Sequence, residues 1–136
     1  MDTPFTATCS CGAFGFRSPV RPVLQLVCHC TDCRDAAGTP STSLVFFKAE
    51  SSEVSGATRT RHYTADTGNA TTRDLCAICG EMVLDRTAGF PHLLGVVAER
   101  MQPPFAFEPR FHVWTQSKLP EVEVPAGVKA LPRGLE

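Results

Sequence analysis

The sequence predicts a mainly β domain with one short helix. Short runs rich in β-branched and aromatic residues recur along the chain, Gly- and Pro-containing turns separate them, and a long helical periodicity is absent. The chain has 136 residues, which is the size of one domain with its own core. We therefore expect a single domain over residues 1–136, with its ordered core at about 5–120.

The first part of the chain supplies three predicted strands and the helix. Residues 5–9 and 13–17 flank a Gly-containing turn, which predicts a hairpin, and the apolar run 23–28 predicts a third strand. Thr31 suits the N-cap of a helix and Gly38 suits its end, so we expect a short helix between them.

The later strands are predicted from similar short apolar or alternating runs. They span residues 43–47, 61–64, 73–76, 81–85, 93–97 and 111–114. The polar stretch 64–70 predicts a turn, and Pro103-Pro104 predicts a loop. From Val124 onward, Pro and Gly residues predict a loosely held terminus.

Charge and hydropathy exclude two classes of partner. The net charge is −1 and the Lys and Arg residues are scattered, whereas nucleic-acid binding depends on clustered phosphate contacts. No apolar run approaches the roughly 18 residues of a membrane-spanning helix. The first residues, Met1-Asp2-Thr3-Pro4, do not resemble a signal peptide. We therefore expect a cytoplasmic protein without a nucleic-acid or membrane partner.

Seven cysteines carry the most specific signal. We call Cys9, Cys11, Cys76 and Cys79 the four-cysteine group, and Cys28, Cys30 and Cys33 the cysteine triple. In the cytosol, such spacings indicate metal binding or catalysis rather than disulfides. Four thiolates close a tetrahedral zinc site, whereas three leave one position open. The sequence therefore predicts a zinc site that stabilises the fold and a separate cluster for chemistry.

The four-cysteine group is built from two close pairs. Strand alternation places Cys9 and Cys11 on one face, and Gly80 permits the backbone to turn away after Cys79. Buried free thiols would have no reason to occur in paired spacings, so we favour a zinc site over inert cysteines.

The cysteine triple lies where a strand meets the predicted helix. Cys30 and Cys33 are three residues apart at the helix start, where free backbone N–H groups favour thiolate, and Arg34 adds positive charge. Three thiolates on zinc would leave a position that a soft ligand, such as an external thiol, can fill.

Three alternatives for the triple remain open at this stage. Cys30-Thr31-Asp32-Cys33 could be a thioredoxin-like redox pair, although Cys28 is then left over and no βαβ pattern surrounds it. A histidine could instead close a second structural zinc site, the candidates being His29, His62, His92 and His112. The cysteines could also be inert and buried.

The arrangement of all seven cysteines resembles the glutathione-dependent formaldehyde-activating enzyme family, which also includes centromere protein V. The matching segments are Cys9-Ser10-Cys11-Gly12, Cys28 to Arg34 with the nearby Gly38, Cys76-Ala77-Ile78-Cys79-Gly80 and, more weakly, Pro109 to Trp114. The resemblance covers roughly residues 5–120.

This resemblance implies a fold and an activity. The fold is a β-tent of several coiled antiparallel sheets around a structural zinc held by the four-cysteine group. The activity is that of a carbon–sulfur lyase, which reversibly joins glutathione and formaldehyde to S-hydroxymethylglutathione. The catalytic residues would be those of the cysteine triple, holding a second zinc where glutathione engages.

Other expectations accompany this one. The planar fork of Arg34 suits a glutathione carboxylate, so we expect it to bind the co-substrate. The partners would be a small thiol and an aldehyde.

The alternative function is a non-catalytic zinc module that binds or carries glutathione or another partner. A chromatin role is disfavoured because the C-terminus is mixed in charge. A homodimer is compatible with the sequence, which contains no feature that decides it.

Overall fold

The computed structural model describes residues 4–65 and 68–135. Within this part of the chain, eleven β-strands and one α-helix form, which confirms the predicted mainly β class. The elements are β1 (Phe5–Thr8), β2 (Gly15–Ser18), β3 (Leu24–Cys28), α1 (Thr31–Ala37), β4 (Thr42–Lys48), β5 (Glu53–Ser55), β6 (Thr58–Thr64), β7 (Ala70–Cys76), β8 (Met82–Thr87), β9 (Leu93–Val97), β10 (Phe111–Val113) and β11 (Lys129–Ala130).

The strands form a small and a large sheet. The small sheet has the order β1-β2-β5, and the large sheet has the order β11-β10-β3-β4-β9-β8-β7-β6. Neighbouring strands are antiparallel, except that β10 runs parallel to both β3 and β11. The large sheet is thus not purely antiparallel. Parallel strands need a long connection between them, and the chain between β3 and β10 supplies one.

Some element boundaries differ from the sequence prediction. Strand β5 was not predicted, since Glu53–Ser55 is short, polar and exposed. The predicted turn at 64–70 lies partly outside the described residues; on either side of the gap, the Ala65 amide donates to the Asn69 carbonyl at 2.9 Å.

The C-terminal segment is held more firmly than the sequence predicted. Instead of a loose terminus, Lys129–Ala130 pairs with β10, and the Leu131 amide donates to the His112 carbonyl at 2.9 Å. Backbone hydrogen bonds, which carry little sequence signal, supply this attachment. The segment therefore becomes part of the large sheet.

The large sheet is buried on both faces, with a hydrophobic cluster on each. On β4, Leu44 and Phe46 belong to one cluster, and Val45 and Phe47 belong to the other. This division follows from strand geometry, since successive side chains point to opposite faces. The first cluster contains the cysteine triple, and the second contains the two buried members of the four-cysteine group.

In the described part of the chain, no helix is both long and apolar enough to cross a membrane.

Gly95 provides a test of the packing within the large sheet. It lies between Phe46 and Asp85 on the neighbouring strands, and an added Cβ would lie 2.8 Å from the Phe46 ring and 3.0 Å from the Asp85 carbonyl oxygen. Because backbone and a buried ring cannot both move away, we expect Gly95→Ala to lower the free energy of unfolding by about 1–3 kcal/mol in urea titrations. The exposed strand variant Val54→Ala should stay within about 0.5 kcal/mol of wild type. Equal stability of the two variants would contradict this account.

Candidate metal centre and cysteine pocket

The four-cysteine group comes together as a compact cluster of sulfurs. All four Sγ atoms lie within 4.8 Å of one another. Cys9 Sγ lies 3.4 Å from Cys11 Sγ and 3.6 Å from Cys76 Sγ, and Cys11 Sγ lies 3.7 Å from Cys76 Sγ. Thiolates at about 2.3 Å from a tetrahedral zinc would be about 3.8 Å apart. The donor set and its spacing thus fit a closed zinc site.

Two tight turns aim these sulfurs at one point. The Gly12 amide donates to the Cys9 carbonyl, and the Gly80 amide donates to the Cys76 carbonyl. Both glycines have positive φ, +80° and +78°, a conformation that side chains disfavour. The Phe14 amide also donates to Cys9 Sγ at 3.3 Å, which stabilises negative charge on that sulfur.

A polar clasp joins the two turns beside this cluster. One carboxylate oxygen of Glu81 accepts from the Ser10 amide at 2.6 Å, and the other accepts from the Ser10 hydroxyl at 2.7 Å. Glu81 also forms an ion pair with Arg100. The Ser10 amide and then Arg100 lower the pKa of Glu81 to about 2. The carboxylate therefore stays charged and holds the two cysteine turns together.

The cysteine triple lies on the other face of the sheet, at the junction of β3 and α1. Its three sulfurs lie within 4.8 Å of one another, and Cys28 Sγ lies 3.2 Å from Cys33 Sγ. All three residues are buried. They fit the open, three-thiolate zinc site that the spacing predicts.

The helix start differs from the prediction in one respect. Cys30, not Thr31, is the N-cap, and its sulfur accepts a hydrogen bond from the Cys33 amide at 3.2 Å. A cysteine thiolate can accept from a free helical N–H much as a hydroxyl oxygen does. Gly38 ends the helix in the left-handed conformation as predicted. The capping interaction therefore fixes the position of one sulfur of the triple.

A buried arginine contacts the triple from β7. Arg73 donates from Nη2 to Cys33 Sγ at 2.9 Å and to Cys30 Sγ at 3.4 Å. Only 3% of Arg73 is exposed. Its guanidinium also lies 3.5 Å from an Asp32 oxygen and 3.3 Å from an Asp85 oxygen. Burial opposes the charged form, but Asp85 and then the thiols outweigh it and raise the pKa of Arg73.

Negative charge concentrates on one sulfur of the triple. Hydrogen bonds from Cys28 and then Cys33 lower the pKa of Cys30 to about 2. The hydrogen bond with Cys30 raises the pKa of Cys28, and the hydrogen bonds with Cys28 and then Cys30 raise the pKa of Cys33. The arrangement provides a thiolate beside a permanent cation, which suits binding of a soft metal or attack on an electrophile.

A pocket opens beside the triple. It encloses about 60 Å³. Its lining combines the triple, apolar side chains and a few polar groups; besides the cysteines it comprises Leu26, Leu44, Phe46, Tyr63, Ala65, Thr71, Arg73, Asp85, Thr87, Phe90, Val113, Trp114, Gly134 and Leu135. We call Trp114, Gly134 and Leu135 the C-terminal wall of this pocket. A small, mostly apolar space with sulfur and charge at one end can hold a small polarised molecule.

Arg34 occupies a different position from the one expected for a ligand contact. Its Nη1 donates to the His29 carbonyl at 2.9 Å and to the Ser117 carbonyl. It is not among the residues that line the pocket. The expected role of Arg34 in binding a carboxylate thus stays a prediction.

The histidines do not join the triple. No histidine nitrogen lies within 4.8 Å of all three sulfurs in the described ranges. Instead, His29 Nε2 and His112 Nδ1 form a buried hydrogen bond of 2.8 Å. Burial, and then His112, lower the pKa of His29 to about 4, and burial also lowers the pKa of His112, so burial favours the neutral form of both rings. A histidine-closed zinc site at the triple is therefore not supported.

Sequence reasoning identified Trp114 as a core or pocket-wall residue, but it missed Arg73 and the other two members of the C-terminal wall, Gly134 and Leu135. The available signal for Arg73 was a charged residue inside a predicted strand, three residues before Cys76. The wall depends on β11 pairing with β10, which no local pattern indicated.

Comparisons with known proteins agree with this architecture. A family model described as glutathione-dependent formaldehyde-activating enzyme matches residues 4–117. A crystal structure of a Rhodobacter sphaeroides protein is similar in fold, with a TM-score of 0.53 and 19% sequence identity, over 74% of this chain and 90% of that chain. No curated protein matches the chain.

We expect two zinc ions per chain, with different effects on stability. Cys76→Ser should remove one zinc and lower the free energy of unfolding by at least about 4 kcal/mol, because metal binding contributes directly to folding. Cys30→Ala should also remove one zinc but cost less stability, since the four-cysteine group remains intact. Elemental analysis combined with thermal unfolding measures both. Equal destabilisation by the two variants would contradict the division into a structural and a reactive site.

Replacing Arg73 should show how much its ion pairs with Asp32 and Asp85 contribute to stability. Arg73→Met leaves the carboxylates of Asp32 and Asp85 without their buried partner, so we expect a loss of about 3–5 kcal/mol in urea unfolding. The exposed Arg59, on β6, provides the matched control, and Arg59→Met should change stability by less than about 0.5 kcal/mol. A stable Arg73→Met protein would argue against this charge cluster.

Proposed function

Because the chain belongs to the glutathione-dependent formaldehyde-activating enzyme family, we propose that it reversibly joins glutathione and formaldehyde to S-hydroxymethylglutathione. In this proposal it is a carbon–sulfur lyase, and the cysteine triple is its reactive site. The observation that carries the proposal is a buried three-sulfur cluster at a pocket, on the opposite sheet face from the complete four-sulfur cluster.

The donor sets support a distinct role for each group. The four-cysteine group would hold a structural zinc, which has no position free for a substrate. The triple would hold a second zinc through Cys28, Cys30 and Cys33. A zinc ion held there would lower the pKa of a bound thiol, so that the thiol would be present as a thiolate at neutral pH.

The residues around the triple would then orient the reactants. The pocket would hold the carbonyl carbon of formaldehyde beside the glutathione sulfur. The two would then react within one complex, which is faster than a bimolecular reaction in solution. The sulfur attacks the carbonyl carbon, a C–S bond forms, and the carbonyl π electrons move to oxygen. That oxygen takes up the proton that the thiol has lost. The reverse reaction returns the proton and breaks the C–S bond.

The pocket lining would also favour this addition. Apolar side chains such as Leu26, Phe46 and Trp114 exclude water, which otherwise competes for formaldehyde as its hydrate. Arg73 keeps a permanent positive charge against Cys30 and Cys33 and so stabilises negative charge on these sulfurs.

The proposed location is the cytoplasm. All seven cysteines are free, and both clusters need reduced thiols to bind metal. A reducing compartment with abundant glutathione supplies both the thiol substrate and these conditions.

Exchange NMR on a mixture of glutathione and formaldehyde tests the reaction. Catalytic amounts of the wild-type protein should accelerate exchange between free glutathione and its hydroxymethyl adduct. The control is the variant Cys28→Ala/Cys30→Ala/Cys33→Ala, which keeps the four-cysteine group and should fold. We expect this control to leave the exchange at the uncatalysed rate.

Two results would count against the proposal. If wild type leaves the exchange rate unchanged, the protein is not a formaldehyde-activating enzyme, and a zinc module that binds glutathione becomes the better account. If the folded triple variant accelerates exchange as much as wild type, the reaction takes place elsewhere on the chain.

A further inference from the structure

The pocket beside the triple is too small to enclose a tripeptide. Its volume is about 60 Å³, whereas pockets that enclose drug-sized ligands run to about 300–1,000 Å³. A cavity of this size admits the thiol end of glutathione and a formaldehyde-sized carbonyl. The two carboxylates and the ammonium group of glutathione must therefore lie on the surface next to the pocket.

Cations nearest the triple are already engaged. Arg73 is buried against the sulfurs and lies beside Asp85. Arg61 forms an ion pair with Asp32 at 2.8 Å. Arg34 donates to two backbone carbonyls. A carboxylate arriving at the pocket would have to compete with these partners.

Arg133 is placed differently. It is exposed, and its guanidinium carbon lies 5.8 Å from the centre of the Trp114 ring. Trp114 belongs to the C-terminal wall, as do Gly134 and Leu135, the two residues that follow Arg133. Within residues 4–65 and 68–135, no salt bridge or side-chain hydrogen bond engages Arg133. An unengaged guanidinium thus stands beside the pocket.

Backbone contacts hold Trp114 and the segment that carries Arg133 together. The Trp114 amide donates to the Arg133 carbonyl at 3.2 Å, and the Thr115 amide donates to the Leu131 carbonyl at 3.0 Å. Trp114 has φ of +57°, the one positive φ at a non-glycine residue in the described part of the chain. Residues held in this conformation cluster at functional sites. The guanidinium over the Trp114 ring has a planar fork of N–H donors, which can bind a carboxylate in two places.

From these contacts we propose that Arg133 is a specificity-determining residue that binds a carboxylate of the thiol co-substrate. The substrate class is therefore an anionic thiol whose carboxylate lies several bonds from its sulfur. This inference rests on the proposed function for the identity of the thiol. It adds a residue outside the segment that the family model matches, residues 4–117.

The test compares binding of glutathione and of glutathione diethyl ester to the zinc-loaded protein without formaldehyde. Calorimetric titration gives a Kd for each ligand. Wild type should bind the acid about five- to tenfold more tightly than the ester, in keeping with a charge-assisted contact at a partly solvated site. Arg133→Gln should abolish this preference and leave the ester affinity unchanged. The ratio of the two Kd values is measured on one protein sample, so partial loss of active protein does not alter it.

Two matched variants complete the test. Lys129→Gln removes another exposed cation of the same C-terminal segment and should retain the preference for the acid. Arg34→Gln tests the competing expectation that Arg34 binds the carboxylate; it should retain the preference as well, because the Arg34 guanidinium is held by the His29 and Ser117 carbonyls. The inference is overturned if wild type does not distinguish acid from ester, if Arg133→Gln keeps the preference, or if Arg34→Gln alone loses it.

The outcome separates this inference from the proposed reaction. If the NMR exchange is accelerated but Arg133→Gln keeps the preference, the enzyme function stands and the role of Arg133 falls. If the exchange is not accelerated but the preference depends on Arg133, the protein binds an anionic thiol without turnover.

Discussion

Burial of both faces of the large sheet is the constraint on which the two cysteine groups depend. A strand with two buried faces can send alternate side chains into two separate cores, and β4 does so with Leu44 and Phe46 on one side and Val45 and Phe47 on the other. The four-cysteine group therefore closes without competing for the sulfurs of the triple. One chain of modest size can in this way keep a complete ligand set and an incomplete one apart.

Strand β7 connects these two regions. Its last residue, Cys76, belongs to the four-cysteine group, whereas Arg73, three residues earlier, contacts the triple. The clasp formed by Glu81 and Ser10 holds the turn that follows β7. Loss of structure at one cluster would thus displace the cation that faces the other. Arg73 forms buried ion pairs with Asp32 and Asp85. These pairs strengthen this dependence, because breaking a buried ion pair strongly destabilises the folded state.

The sequence indicated much of this arrangement, and its limits have physical causes. Cysteine spacing was sufficient to separate the two groups, since zinc ligands must converge and their local spacings are restricted. Alternation and turn residues were sufficient for most strands. Arg73 was missed because its contacts depend on how β7 is placed against α1, which is a tertiary property. Gly134 and Leu135 of the C-terminal wall were missed because β11, which precedes them, is a two-residue strand formed by backbone hydrogen bonds, without a hydrophobic pattern of its own.

The position of Trp114 has a consequence for spectroscopy. The chain contains a single tryptophan, and that residue is 9% exposed, lines the pocket and lies under a guanidinium. Its emission therefore arises from one environment, without background from other indoles. Any molecule that enters the pocket or draws Arg133 away changes the polarity and the charge beside this ring. The protein carries an intrinsic fluorophore at the place where occupancy of the cysteine pocket would be detected, so that ligand entry can be followed without a label.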